Sequence, residues 1–186
     1  MAHGTFIVID GIDGSGKKTQ FDLLQQHLER DGHAIATADF PQYGQKSAGM
    51  VEEYLNGAYG TSEEVGPYAA SILYACDRFA ASKKIKGWLA EGLTVISNRY
   101  VAANMGHQGS KIADPAERTK FFAWNNELEY GIFKIPQPDL NIILHVPAKT
   151  AQQLVDQKTT RAYTDKKRDL HEADLQHAGQ DGAPSP

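Results

Sequence analysis

The sequence predicts an α/β protein, a three-layer α/β/α sandwich around a parallel sheet, and three observations predict it. Strand and helix signals alternate along the chain. The strand candidates are short apolar runs of the kind buried on both faces. The first of them, Phe6-Ile7-Val8-Ile9, leads through Asp10 into Gly11-Ile12-Asp13-Gly14-Ser15-Gly16-Lys17 and then into a helical pattern. That is the strand–loop–helix setting of a phosphate-binding P-loop, so the sandwich is of the P-loop NTPase type.

The elements follow in order. After the loop, Leu23, Leu24 and Leu28 place an apolar stripe on a helix that stops near Asp31-Gly32. Residues 34–40 read as a second strand, ended by Pro41, and a short helix follows around 50–55. Pro67 opens a long helical segment to about Trp88. Residues 94–97 form a compact buried strand. Asp114 is placed to cap a helix that has Pro115 at its first position, and Glu117 completes a capping-box pattern. Pro136 and Pro138 close that connection before a last strand over 140–146. One domain over 1–178 is expected, then a Gly/Pro/Ser-rich tail over 179–186 expected to be disordered. With this β-α alternation, ligands are expected at the carboxyl ends of the strands.

Composition excludes several classes. A net charge of -4 over 186 residues gives no basic field for nucleic acid. No apolar run approaches a membrane span, and the N-terminus lacks a secretory pattern. The single cysteine, Cys76, excludes an intramolecular disulfide and reads as a small core residue. A cytoplasmic protein is expected.

The loop's chemistry follows from its residues. Gly11, Gly14 and Gly16 permit dihedrals that turn successive N–H groups toward one anion. The helix starting near Lys17 adds its positive dipole end, and the Lys17 ammonium reaches nucleotide phosphates. The motif's usual hydroxyl position holds Lys18, with Thr19 next. Farther on, Tyr74 and Arg78 lie four residues apart, hence on one helix face. They read either as a base platform or as a core tyrosine and a surface arginine. The basic run Lys158, Arg161, Lys166, Lys167 and Arg168 reads either as solvated surface or as a phosphate-facing lid.

Five motifs taken together are similar to the thymidylate kinase family of nucleoside-monophosphate kinases. They are the P-loop with Asp13 inside it, Phe40-Pro41-Gln42-Tyr43-Gly44, Leu73-Tyr74-Ala75-Cys76-Asp77-Arg78, Asn98-Arg99-Tyr100, and Pro136-Gln137-Pro138-Asp139-Leu140. The resemblance implies transfer of a phosphoryl group from ATP to dTMP, with Mg²⁺, on the route to dTTP, by a homodimer with no nucleic-acid or membrane partner. It assigns catalysis to Lys17, Arg99, Arg161 and Asp13. It assigns ATP binding to Gly11, Gly14, Ser15, Gly16, Lys17, Lys18, Thr19, Arg161 and Arg168, the last two within a lid at about 158–168. Substrate binding falls to Asp13, Phe40, Tyr43, Tyr74, Arg78, Arg99, Asn104, His107 and Gln108, and metal binding to Asp13, Asp10 and Asn98.

The chain departs from the family pattern twice. Asn98 stands where the family carries an acidic residue, and the sequence offers four strand signals where the family carries a fifth strand and a closing helix. Two alternatives therefore stand beside dTMP phosphorylation: another (deoxy)nucleotide or nucleoside kinase, and a nucleotide-binding relative with little or no activity.

Overall fold

Four parallel strands form the centre of the protein, whose residues 3–156 are described by a computed structural model. β1 (Phe6–Gly11), β2 (Ile35–Asp39), β3 (Thr94–Asn98) and β4 (Leu140–Leu144) lie in the order β2-β3-β1-β4. Their register places Ile9 beside Asn98, Asn98 beside Asp39, and Asp10 beside Ile143. Asp139 fixes the entry to β4, its carboxylate accepting from the Phe6 N–H at 2.7 Å.

Side chains alternate along each strand, so one strand feeds two cores. Phe6, Val8 and Val95 face a cluster with Ile85, Leu89, Tyr100 and Val101. Ile9 and Ile96 face the opposite side, against Phe21, Leu24 and Leu28 of α1 (Lys17–Arg30). α3 (Ser62–Ala90) and α4 (Val101–Gly109) cover the first face. The chain thus leaves β1 and β3 toward opposite faces of the sheet, which opens a crevice between their carboxyl ends. α2 (Gly49–Leu55) packs on α3 through Val51, Tyr54, Leu55 and Ala70. α5 (Pro115–Asn126) runs on into a π-helical turn over Glu127–Ile132, and α6 (Ala148–Asp156) follows β4.

The predicted strands and most predicted helices are present, with five differences. The long helix begins before Pro67: Thr61 and Glu64 form a reciprocal capping box, and Gly66 (φ 72) kinks the helix so that Pro67 opens its second segment. Asp114 caps α5 as expected, accepting from the Ala116 N–H at 2.7 Å, but Glu117 turns to Lys120 at 2.7 Å and completes no box. Cys76 is exposed rather than a core residue, because it lies on the outer face of α3. Leu23 also faces outward, leaving Leu24 and Leu28 as the packed stripe. The last strand ends at Leu144. Helix α4, α6 and the π-helical turn carry no clear signal in the sequence.

β4 lies at the sheet edge, with Leu140 and Ile143 exposed, and among the described residues no strand pairs with its outer side. No described helix is long and apolar enough to cross a membrane.

Candidate active site

The P-loop leaves β1 into the crevice. Gly14 (φ 82) sits so close to α6 that a Cβ there would overlap the backbone carbonyl of Ala151. Gly16 (φ 85) precedes α1 in a left-handed conformation, and no side chain caps the first N–H donors of that helix. Those donors and the dipole they carry make an anion site. Lys17 is buried and folded into its own loop, its Nζ donating to the carbonyls of Gly11 at 2.7 Å and Ile12 at 2.8 Å. It also lies 3.7 Å from Asp13 Oδ1. Lys18 points elsewhere, exposed and ion-paired with Asp22 at 2.6 Å. Thr19 is exposed, while Ser15 keeps its hydroxyl buried without a hydrogen bond.

Across the crevice, Arg99 follows β3 in a left-handed conformation (φ 65) that a side-chain-bearing residue rarely adopts. Its N–H donates to the Ile9 carbonyl at 2.9 Å, and the Ser97 hydroxyl donates to its carbonyl at 2.7 Å. This geometry turns the guanidinium onto the P-loop, where Nη2 bonds Asp13 Oδ1 and Nη1 lies 3.5 Å from His107 Nε2. Burial works against a charged Asp13, but Arg99 and then Lys17 outweigh it and hold the carboxyl well below the usual carboxylate range. Burial together with the Arg99 cation pushes His107 down to about 4, so its imidazole is neutral at pH 7.

Acidic and amide oxygens gather at the same strand ends. Asp10 is buried; Arg99, Lys17, Arg78 and the Tyr100 N–H act on it, yet neither oxygen reaches hydrogen-bonding geometry, and burial raises its pKa. Asn98 donates from Nδ2 to Asp39 Oδ1 at 2.8 Å and leaves its own Oδ1 buried without a partner.

A cavity of about 30 Å³ adjoins Arg99, walled by Phe40, Pro41, Tyr74, Arg78, Asn104, His107 and Gln108. Asp77 anchors its Phe40-Pro41 wall to α3, accepting from the Gln42 N–H at 2.8 Å and the Ser47 hydroxyl at 2.6 Å. Arg78, fully buried, gives Nε and Nη2 to the two oxygens of Glu129, each at 2.6 Å. Asn104 gives Nδ2 to Asn125 Oδ1 at 3.0 Å, leaving its Oδ1 unbonded. Lys111 donates to Gln108 Oε1 at 2.8 Å, which makes the other end, Nε2, the unbonded donor. A second cavity of about 280 Å³ lies on the other side of His107, between Asp10–Ile12, α4, α5 and β4.

The site residues named from the sequence therefore converge with few exceptions. Lys18 and Thr19 lie on the surface of α1, and Arg161 and Arg168 fall outside the described residues, whereas Tyr43, packed against the α2–α3 cluster, also acts electrostatically on Arg99. Five residues near the site escaped sequence reasoning: Asp39, Asp77, Lys111, Asn125 and Glu129. Asp77 had a signal, a carboxylate inside an otherwise apolar helical stretch. Glu129 had none, because it sits on a π-helical turn whose spacing no helical pattern forecasts.

A P-loop opposite an arginine just past the neighbouring strand β3, with an enclosed polar pocket beside it, defines a phosphotransferase of the nucleoside-monophosphate kinase class. A family model described as thymidylate kinase matches residues 9–177. The thymidylate kinase of Mycobacterium tuberculosis is 33% identical over 180 residues, covering 95% of this chain and 82% of that protein. A probable thymidylate kinase of Pyrobaculum aerophilum is 32% identical over 183 residues, covering 96% and 85% respectively. A solved thymidylate kinase from Candida albicans shares the fold with a TM-score of 0.73 at 21% identity, covering 97% of this chain and 76% of that one. The chain belongs to the thymidylate kinase family.

Proposed function

We propose that the protein transfers the γ-phosphoryl group of ATP to dTMP, giving dTDP and ADP, as its family membership implies. One observation in the pocket carries the base assignment. Arg78 offers N–H donors, Asn104 Oδ1 an unbonded acceptor, and Gln108 Nε2 an unbonded donor. Thymine presents the complement, two carbonyl acceptors and one N–H donor. Cytosine reverses the polarity at two of those three positions, so it meets like groups that cannot pair, a strong basis for rejection.

Catalysis in this reading is placement and charge neutralisation. The acceptor phosphate oxygen is largely ionised at neutral pH, its second pKa being about 6, so no general base is required. The uncapped donors of α1 and the P-loop backbone hold the ATP phosphates, and Lys17 leaves its carbonyls to join them. Arg99 presents a planar fork that spans acceptor and transferring groups, which a lysine cannot match. Asp13 holds that fork in place and faces the acceptor sugar. The resemblance adds Arg161 and Arg168 from a lid at about 158–168, with Arg161 as the catalytic one.

The oxygen set at the strand ends fits Mg²⁺. Asp10 Oδ1 and Oδ2 and Asn98 Oδ1 are buried without hydrogen bonds, and with Asp13 they are hard ligands that leave room for phosphate oxygens and water. When bound, Mg²⁺ would supply positive charge to the transferring phosphate oxygens. The outer face of α3 carries exposed Tyr68, Ile72, Cys76 and Phe79 in one row, which supports a homodimer packed through that helix. A cytoplasmic location follows from the substrates.

The test is ADP release with ATP and each candidate acceptor. Preference for dTMP supports the reading; turnover with dCMP, dGMP or a nucleoside but not dTMP overturns it. Binding of both nucleotides without turnover favours the inactive relative.

A further inference from the structure

We propose that Asn125 and Glu129 are positioning residues for base selection. Glu129 sets the angle of the Arg78 guanidinium, and Asn125 sets which end of the Asn104 amide faces the base. The inference rests on the thymidylate reading above and deepens it, by naming what aims the groups that read the base.

The two residues lie four apart where α5 passes into its π-helical turn, and both are completely buried. Each grips one wall residue of the small cavity, on a different helix: Arg78 on α3 and Asn104 on α4. A single helical segment therefore holds the two principal reading groups from behind. The hydrogen-bond count explains how. A guanidinium has five N–H donors, and the bidentate contact with Glu129 uses two of them, leaving three for a base carbonyl. Because both contacts measure 2.6 Å and form a planar fork, the guanidinium cannot rotate without breaking both. The primary amide of Asn104 is ambiguous by itself, since rotation by 180° exchanges donor and acceptor. Asn125 Oδ1 accepts from its Nδ2, which leaves Asn104 Oδ1 and Asn125 Nδ2 as the two unbonded ends of the pair.

A purely structural role explains the arrangement less well. Burying an ion pair yields little net stability compared with apolar residues of similar size. The Arg78–Glu129 pair stands instead at the wall of the base cavity, where orientation has a use. The π-helical turn, a geometry often found at functional positions, delivers Glu129 to that wall.

The experiment measures kcat and KM for dTMP and dCMP, and KM for ATP, on the full-length enzyme and its E129D, E129Q, N125L and N125D variants, with thermal melting of each. E129D keeps the ion pair but shortens its arm. Its preference for dTMP over dCMP should fall about tenfold, the value of one well-made hydrogen bond, through KM for dTMP and with KM for ATP unchanged. N125L, which lacks the acceptor, should lose preference similarly, and N125D, which restores it, should recover most of it. Should E129Q fail to fold around an unpaired Arg78, E129D and the uncharged N125L still decide. Folded E129D and N125L enzymes with unaltered preference, or losses equal for both nucleotides, would overturn the proposal. Absence of dTMP turnover in the unaltered enzyme overturns the thymidylate reading instead, before any variant is made.

Discussion

Arg99 Nη2 is bonded to Asp13 Oδ1, which ties the residue after β3 to the middle of the P-loop across the crevice. The backbone contributes to this link, because the left-handed φ of 65 at Arg99 is held by the Ile9 carbonyl and the Ser97 hydroxyl. Replacing Arg99 by Lys keeps a charge but removes the fork. We expect kcat to fall about 10²–10³-fold, the range for losing one preorganised donor to the transferring group. Steady-state kinetics on R99K, with melting to confirm folding, check this. D13N, which weakens the anchor, should lower kcat as well.

His107 makes stability depend on pH. Its pKa is about 4 in the folded protein against 6.5 unfolded. Below 6.5 the unfolded chain takes up a proton that the folded one refuses, so this contribution is complete above pH 6.5 and is lost as pH falls toward 4. The whole effect is at most about 3 kcal/mol. Denaturant midpoints at pH 7 and pH 5 should differ more for the native protein than for H107Q. Comparing the two proteins removes the contributions of Asp13, lost only below its unfolded value of 3.8, and of Asp10, whose raised pKa acts in the opposite direction.

Asn98 is more than a missing carboxylate, since its amide donates to Asp39. N98D would set two carboxylates side by side at adjacent strand ends. Without Mg²⁺ we expect a loss of about 1 kcal/mol, on the scale of a like-charge pair opposed across strands. Added Mg²⁺ should raise the melting temperature of N98D more than that of the native protein. An equal response in both would mean that this position does not face the cation.

Gly14 is held between its left-handed φ and the backbone of Ala151. G14A should cost about 1–3 kcal/mol and displace the loop from α6. We expect KM for ATP to rise more than KM for dTMP in kinetics of the folded variant.

The sequence carried the sheet and the phosphate site because both rest on local rules. Apolar runs mark strands, and closely spaced glycines before a helix mark a phosphate cradle. Tyr74 and Arg78 were placed on a common face by spacing alone, and both line the cavity. What escaped depends on partners distant in sequence. The link between Arg78 and Glu129 spans 51 residues, and that between Gln42 and Asp77 spans 35. The exposure of Cys76 has a related reason: an apolar stretch on α3 covers two faces of the helix, and composition cannot tell the inner from the outer one.

The measurement that bears most directly on the central claim is kcat/KM for ADP release with dTMP and dCMP on the same preparation, at saturating ATP and Mg²⁺. Two kinds of donor, on Arg78 and Gln108, and an acceptor on Asn104 in one pocket predict a preference for dTMP of at least about 10²-fold, the sum of two mismatched hydrogen-bond positions. Equal turnover of the two nucleotides, or turnover of dCMP alone, would contradict it.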